Sequence, residues 1–229
     1  MNVKLVSITE SFVKNEDGTP LTPEELLVYI ARVSNPSNQM NTETSDKLLG
    51  FLIRSKHWSP FDMVNLTVEV TTSRVVAHQI LRHWSIKPQE FSQRYAEVVD
   101  FEPIELRMQA EKNRQSSVDV FNPIISYVED WTQRTYEGDA NSIISSYVRT
   151  AENLYRALLE AKVAKESARF ILPLTTSTTM YLNGSIRSWI FYLEQRTDLH
   201  AQKEHRLVAN EIKGIFMQHF PNIAKALDL

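Results

Sequence analysis

Apolar and polar residues alternate along the chain in two periods. Leu48, Leu49, Leu52 and Ile53 recur at helical intervals and predict a helix over residues 45–55. Val64, Leu66, Val68 and Val70 then alternate with Asn65, Thr67, Glu69 and Thr71, the period of a half-buried strand. From Ser142, helical spacing returns through Ile143, Ile144, Tyr147, Val148, Ala151, Leu154, Tyr155 and Leu158. The tyrosines and isoleucines of that helix are expected in the core. A last long helix is predicted over residues 198–219, with Ala201, Val208, Ile212 and Ile215 facing inward.

Local signals set the boundaries. Residues Met1 to Val6 read as a first strand. Thr22-Pro23-Glu24-Glu25 reads as a helix start, with threonine as the cap, proline in the first turn and Glu25 three residues on. That helix should run through Ile30 and end near Pro36. Thr72 or Ser73 is expected to cap a helix from Arg74 to His83, and Pro88 pushes the chain after it into an extended form. A short helix from Lys165 to Ile171 should stop at Pro173, and another should span Ser185 to Glu194. Pro103, Pro123 and Gly138 predict loops and short helices over 96–139. With no repeat and no linker, the simplest reading is one α+β domain over residues 1–229, helix-rich, with a small, mostly antiparallel sheet.

Composition narrows the chemistry. The absence of cysteine closes off disulfides, thiolate zinc sites and a cysteine nucleophile. The net charge of −3 argues against a polyanion partner, so a nucleic-acid binder using Arg74, Arg82 and Arg94 is disfavoured. No apolar run approaches the ~20 residues of a membrane span, and the first residues lack the features of a secretion signal, so a cytoplasmic location is expected. Locally the picture reverses. From Arg74 to Arg94, four cations (Arg74, Arg82, Lys87, Arg94) face one anion (Glu90).

Two groupings in this basic stretch suit a nucleotide. Gln79 and Arg82 lie three apart on the predicted helix and share a face, pairing an amide that reads a base or sugar edge with a guanidinium that takes phosphate. In an extended chain, Glu90, Ser92 and Arg94 would line one wall over ~14 Å, at ~3.4 Å per residue, with Phe91, Gln93 and Tyr95 on the other side.

The segment Arg82-His83-Trp84 through Ser92 to Arg94 resembles the signature of the flavin-dependent thymidylate synthases, in which Arg-His-Arg is followed after seven residues by Ser and then by Arg. Further segments are similar to that family in order and spacing: Ala31-Arg32-Val33-Ser34, His57-Trp58-Ser59-Pro60-Phe61, Ala168-Arg169 through Leu172-Pro173, Arg187-Ser188, and Arg196 through Asp198, His200-Ala201-Gln202 and Glu204. Together they cover roughly residues 1–220.

The resemblance implies conversion of dUMP to dTMP, with methylenetetrahydrofolate as carbon donor and FAD, reduced by NADPH, as hydride source. It implies homotetramers with shared active sites. By motif, Gln79, Arg82, Glu90, Phe91, Ser92, Gln93, Arg94, Arg169 and Arg196 would hold dUMP, with Arg196 as the activating residue. Ser59, Arg82, His83, Trp84, Glu90, Ser185, Arg187 and Phe191 occupy flavin positions. Ser92 is expected to bind rather than to attack, because no base is evident to activate it.

The chain departs from the family pattern mainly on the flavin side. Trp84 replaces an arginine, Asp62-Met63 stands where Glu-His is common, and Lys87, Gln89, Ser185 and Phe191 also differ. A non-catalytic homologue that keeps the dUMP pocket and binds flavin poorly is therefore the alternative. No metal is expected: His200 and His205 are five apart, not four, and His-Glu-x-x-His is missing. His57 reads as a cofactor neighbour or a turn residue. Trp189 and Tyr192 read as either core or interface. With no Gly-x-Gly-x-x-Gly array, a Rossmann dehydrogenase is disfavoured.

Overall fold

The computed structural model describes residues 1–98, 100–113 and 116–229; Val99, Arg114 and Gln115, part of the 96–139 expectation, lie outside the described residues. The first half of the chain forms β1 (Asn2–Ile8), α1 (Pro23–Ala31), α2 (Ser45–Arg54), β2 (Asn65–Ser73), α3 (Arg74–Ile80), β3 (Lys87–Glu90), β4 (Arg107–Gln109) and β5 (Ser117–Val120). It continues with β6 (Ile124–Glu129), β7 (Arg134–Asp139), α4 (Ala140–Glu160), α5 (Lys165–Ala168), β8 (Ser177–Ser185), α6 (Ile186–Arg196), α7 (Lys203–His219) and α8 (Pro221–Ala226). The fold is α+β with small antiparallel pairings. Two compact units are distinguished, one of Met1–Thr71, Val76–Glu90 and Thr179–Leu229, the other of Thr72–Val75 and Phe91–Thr178.

The first unit is built on a four-stranded sheet in the order β1-β2-β8-β3, with β1 antiparallel to β2 and β3 antiparallel to β8. The expected alternation in β2 holds: Leu66, Val68 and Val70 are fully buried. Each such side chain contributes on the order of 1.5–3 kcal/mol of burial. β8 was not foreseen by the reading above. Its buried positions are Thr178, Met180, Leu182 and Gly184, too mixed a set to announce a strand.

α1 begins with the expected capping box: Thr22 Oγ1 accepts from the Glu25 N–H at 3.3 Å, and the Glu25 carboxylate accepts from the Thr22 N–H at 2.7 Å. The neighbouring Glu24 is buried and accepts from the Ile223 N–H and Asn222 Nδ2, both at 2.8 Å, so it serves the start of α8. Burial raises its pKa. α7 packs on α6 and β1. It starts at Lys203 instead of near 198, because the Asp198 carboxylate accepts the His200 N–H at 2.7 Å and holds the preceding residues in a turn. Its buried stripe is His205, Val208, Ala209, Ile212 and Phe216, whereas Ala201 and Ile215 are half-buried.

The second unit has a smaller core, in which Val98, Tyr155 and Ala168 pack with Phe101, Leu158 and Ile171. α4 is capped by Asp139, which accepts the Ser142 N–H at 2.9 Å. Tyr155 is buried as expected, but Tyr147 is 60% exposed and Ile143 and Ile144 only half-buried, so part of the predicted core face points outward. The expectation of loops and short helices over 96–139 is overturned. The segment forms two antiparallel ribbons, β4 with β5 and β6 with β7. In the second, Tyr127 stacks on Tyr136 across the strands at 5.4 Å. Val120, Ile124 and Val128 are exposed, so neither face carries the apolar and polar alternation that marks a strand in sequence.

The start of α3 also differs from expectation. The Thr72 hydroxyl is buried without a partner, and the helix's first donors go elsewhere: Ser73 N–H to Glu102 Oε2 at 2.8 Å, Arg74 N–H to the Thr176 carbonyl at 2.9 Å, and Val75 N–H to the Leu174 carbonyl at 3.1 Å. The helix ends at Ile80, a turn earlier than expected. Among the described residues, no helix is long and apolar enough to cross a membrane.

Candidate active site

In the first unit a cleft of about 900 Å³ is lined by Asp62, Asn65, residues 82–85, Lys87, Asn183, Gly184, Ser185, Arg187, Ser188, Phe191, Tyr192, Gln195 and Arg196. α6 supplies one wall because two of its i,i+4 rows, Arg187-Phe191-Gln195 and Ser188-Tyr192-Arg196, lie side by side. Ser185 fixes the start of that helix by accepting the Ser188 N–H at 3.3 Å. Gly184 packs closely next to it: a Cβ there would lie 3.3 Å from Trp189 Nε1, whose N–H is given to the Leu66 carbonyl at 2.9 Å. Trp189 and Tyr192 are both core residues, with Tyr192 also lining the cleft.

Asp62 organises the charge. Its carboxylate accepts from Ser185 Oγ at 2.9 Å and Arg187 Nη1 at 3.0 Å, so the acidic residue of the Asp62-Met63 departure holds an arginine at the cleft. The Arg187 guanidinium also lies 5.9 Å from the centre of the Phe191 ring. Arg196 Nε donates to His83 Nε2 at 2.7 Å. An acceptor nitrogen on His83 requires the neutral ring with its proton on Nδ1. Burial and then the Arg196 charge push the His83 pKa down to about 4, which keeps it neutral. The Arg82 guanidinium makes no hydrogen bond or ion pair with any described residue. Lys87 donates to the Trp84 carbonyl at 2.9 Å, while the Trp84 ring is 84% exposed. Four cations (Arg82, Lys87, Arg187, Arg196) thus meet one carboxylate, Asp62, in a cleft with aromatic walls. Such a lining is chemically suited to an anionic ligand that carries flat rings.

Beside Arg196, a chain of hydrogen bonds runs inward. Gln79 Nε2 donates to Gln202 Oε1, and Gln79 Oε1 faces His205 Nδ1 at 3.1 Å. His205 Nε2 faces the Tyr192 hydroxyl at 3.1 Å. His205 is fully buried, which with Arg196 and His83 lowers its pKa to about 3.

The remaining predicted site residues are not among those that line the cleft. Glu90 ends β3 in the first unit, outside the cleft lining, as does Ser59, which opens a short turn. In the second unit the chain leaves the extended form at Phe91, so the expected wall of Glu90, Ser92 and Arg94 does not continue as a strand. The Ser92 carbonyl accepts the N–H groups of Tyr95 and Ala96, and its hydroxyl accepts the Arg94 N–H at 3.4 Å, closing a turn. The alternation is lost with it: Gln93 is buried, with its Nε2 unpartnered, while Phe91 and Tyr95 are exposed. Arg94 and Arg169 converge on Glu166, Arg94 Nε on its carboxylate at 3.3 Å and Arg169 Nε on its carbonyl at 3.3 Å. His57 is a turn residue packed edge-on against Phe51.

Sequence reasoning therefore found Arg82, His83, Trp84, Ser185, Arg187, Phe191 and Arg196, which meet in one cleft. It missed the roles of Asp62, Tyr192 and His205. Asp62 had a signal, since it directly follows the recognised Pro60-Phe61; Tyr192 and His205 had none beyond helical spacing.

Comparison with known proteins gives a consistent result. The model of a family described as thymidylate synthase complementing protein matches residues 19–222. The chain is 46% identical over 229 residues to a probable flavin-dependent thymidylate synthase of Paramecium bursaria Chlorella virus 1, covering all of this chain and 99% of the relative. It is 45% identical over 228 residues to the flavin-dependent thymidylate synthase of Synechocystis, covering the whole of both. Its fold is similar to the crystal structure of a UMP/dUMP methylase from Streptomyces cacaoi bound with 5-Br dUMP, with a TM-score of 0.74 at 23% identity over 99% of this chain and 94% of that one.

Proposed function

The chain belongs to the flavin-dependent thymidylate synthases, and from that membership we propose that it methylates dUMP to dTMP reductively, with methylenetetrahydrofolate as carbon donor and NADPH as reductant. One observation supports this reading beyond the family name: the cleft gathers four cations, three aromatic side chains and a neutral histidine, and Arg82, His83, Trp84, Arg187, Phe191 and Arg196 among them are residues that the signature segments single out. The non-catalytic alternative has no support from these relatives, whose names are those of enzymes.

The donor set of the cleft fits FAD. Arg82, Arg187 and Lys87 are placed to meet a diphosphate, and Phe191 and Trp84 offer faces to its rings. Trp84 cannot supply the charge of the arginine it replaces; Lys87, three residues on, restores a cation to the same lining. FAD supplies the hydride chemistry, and the protein supplies orientation and charge.

Arg196 is the residue assigned to activation. With Nε given to His83, its two Nη groups are the donors left to the cleft. Placed beside the uracil, they stabilise negative charge as N3 ionises, which raises electron density at C5. Because His83 is held neutral, it accepts from Arg196 without competing for that charge. Gln79, Arg82, Glu90, Phe91, Ser92, Gln93, Arg94 and Arg169 are assigned to dUMP. The Ser92 hydroxyl is bonded to no base among the described residues, in keeping with binding instead of attack. The chain has no cysteine for a covalent route through a thiolate.

We place the reaction in the cytoplasm and the protein in a homotetramer with shared sites. The exposed apolar residues of the second unit, among them Val120, Ile124, Val128, Trp131 and Tyr147, support an assembly that covers them. The activity is tested by tritium release from C5-labelled dUMP with FAD, NADPH and methylenetetrahydrofolate. Arg196→Ala should lower the rate by about 100-fold or more with an unchanged circular dichroism spectrum. A near-full rate would remove the assignment of Arg196.

A further inference from the structure

The polarity of the hydrogen-bond chain beside Arg196 is set from one end. Glu204 lies in the first turn of α7. Its carboxylate accepts from Gln202 Nε2 at 2.8 Å, so the Gln202 amide must turn its oxygen the other way, toward Gln79. Gln79 then has to give its NH2 to Gln202 and its Oε1 to His205. A carbonyl oxygen only accepts, so His205 carries its proton on Nδ1. Its Nε2 is left to accept the Tyr192 hydroxyl. Every amide and ring orientation in the series follows from the one carboxylate.

We infer that His205 is a positioning residue for the nucleotide: by donating from Nδ1 to Gln79 Oε1, it holds the Gln79 carboxamide with its oxygen inward and its NH2 outward, as a hydrogen-bond donor to a nucleotide oxygen. The inference rests on the assignment of Gln79 to dUMP. Its geometry is specific. His205 is fully buried, whereas Gln79 is only partly buried. Gln79 is bonded to Gln202 and His205, leaving one amide N–H without a partner among the described residues. Without the His205 proton, only Gln202, itself held by Glu204, opposes a reversal of the Gln79 amide, and both of those side chains are less buried than His205. A reversed amide would present its oxygen to an oxygen-rich ligand, a repulsive contact in place of an attractive one. On the far side of His205, the Tyr192 ring packs edge-on against His83 at 4.9 Å, and His83 holds Arg196. The imidazole thus lies between the residue assigned to reading the nucleotide and the one assigned to activating it.

The test compares two amides at position 205 in the holoenzyme, each retaining one edge of the imidazole. His205→Asn places an N–H donor near Nδ1 and keeps the bond to Gln79; His205→Gln reaches toward the Nε2 position and keeps the contact with Tyr192. Steady-state tritium release should show the KM for dUMP within about threefold of wild type for His205→Asn and raised about tenfold for His205→Gln, the size of one hydrogen bond, with kcat within about twofold in both. Gln79→Ala should raise the KM at least as much, and adding His205→Gln to it should change nothing further. Equal KM values for the two His205 variants, or additive effects with Gln79→Ala, would overturn the inference while leaving Gln79 as a nucleotide residue. An unchanged KM in Gln79→Ala would instead remove the assignment on which the inference rests. Thermal unfolding of each variant separates these outcomes from a loss of fold, and if His205→Gln does not fold, Tyr192→Phe takes its place, because without the hydroxyl on Nε2 the imidazole proton is no longer confined to Nδ1: a raised KM that Gln79→Ala renders silent supports the inference, and an unchanged or additive one overturns it.

Discussion

In the first unit the Arg82 guanidinium reaches the cleft with no protein partner among the described residues; in the second, the Arg94 and Arg169 guanidinium groups rest on Glu166. The two sets of cations were assigned to related tasks, yet they are prepared differently. In the cleft, positive charge outnumbers the single carboxylate of Asp62, and that carboxylate is itself used to aim Arg187. A ligand phosphate there gains attraction without displacing a protein group. In the second unit the Arg94 guanidinium is already bonded to a carboxylate, so a phosphate must compete with Glu166. The contrast teaches that arginines equivalent by motif are not equivalent in energy. What decides is whether the protein has already met their charge.

The contrast can be broken most severely at Arg82. Arg82→Ala removes a cation whose charge the protein leaves unmet, and should raise the KM for dUMP or the Kd for flavin by about 10- to 100-fold, the scale of a charge-assisted hydrogen bond. Arg94→Ala should cost less by several-fold in the same titrations; an equal or larger effect there would reverse the comparison.

Acid should separate the two units next. His83 and His205, both in the first unit, have pKa values depressed to about 4 and about 3 from an ordinary 6.5. The unfolded chain takes up protons below about pH 6.5 that the folded chain refuses. Their contribution to stability is therefore full above that pH and is lost as pH falls toward 4 and 3. For the fully buried His205 the loss approaches about 1.4 kcal/mol per pH unit. Urea unfolding followed from pH 7 to 4.5 should show a decline that His205→Asn makes shallower; an identical slope in the variant would count against the buried neutral imidazole.

A smaller effect belongs to the ribbons. Tyr136→Ala removes the cross-strand ring pair with Tyr127 and should cost roughly 1 kcal/mol of stability, read as a lower unfolding midpoint, with flavin binding unchanged. The smallest is at Glu166. Glu166→Gln releases an exposed ion pair worth about 0.5 kcal/mol, and should lower the KM for dUMP by about twofold. A raised KM would mean that Glu166 positions Arg94 instead of competing for it.

Legibility in the sequence followed how local each determinant was. The capping box of α1 and the alternation of β2 are written within a few adjacent residues, and both were read correctly. β8 was not, because its buried positions include Thr178 and Gly184, which count as apolar only once a sheet surrounds them. The ribbons escaped because Ile124, Tyr127 and Val128 lie exposed, so burial left no period in the sequence. At the site, the motif residues of the cleft were legible by resemblance, since their spacing is the motif. The wall expected from Glu90 to Arg94 failed for a local reason: the Ser92 carbonyl and hydroxyl both take nearby backbone N–H groups, which turns the chain. The bridge from Asp62 to Ser185 and Arg187 spans more than 120 residues, as does that from Gln79 to His205, so no window of sequence contains either.

The contact between Glu24 and the start of α8 bears on how the protein is made. Glu24 accepts the N–H of Ile223, a residue 199 positions later, and burying that carboxylate without its partners is unfavourable. During synthesis α1 emerges early and must wait for α8, with nearly all of the chain between them. The stretch from Phe91 to Thr178 is by contrast almost the whole of the second unit, and it emerges well before the last helices. On the ribosome the second unit can gather its contacts first, while the cleft, which needs residues from both Asp62 and Arg196, is completed only after that unit has emerged.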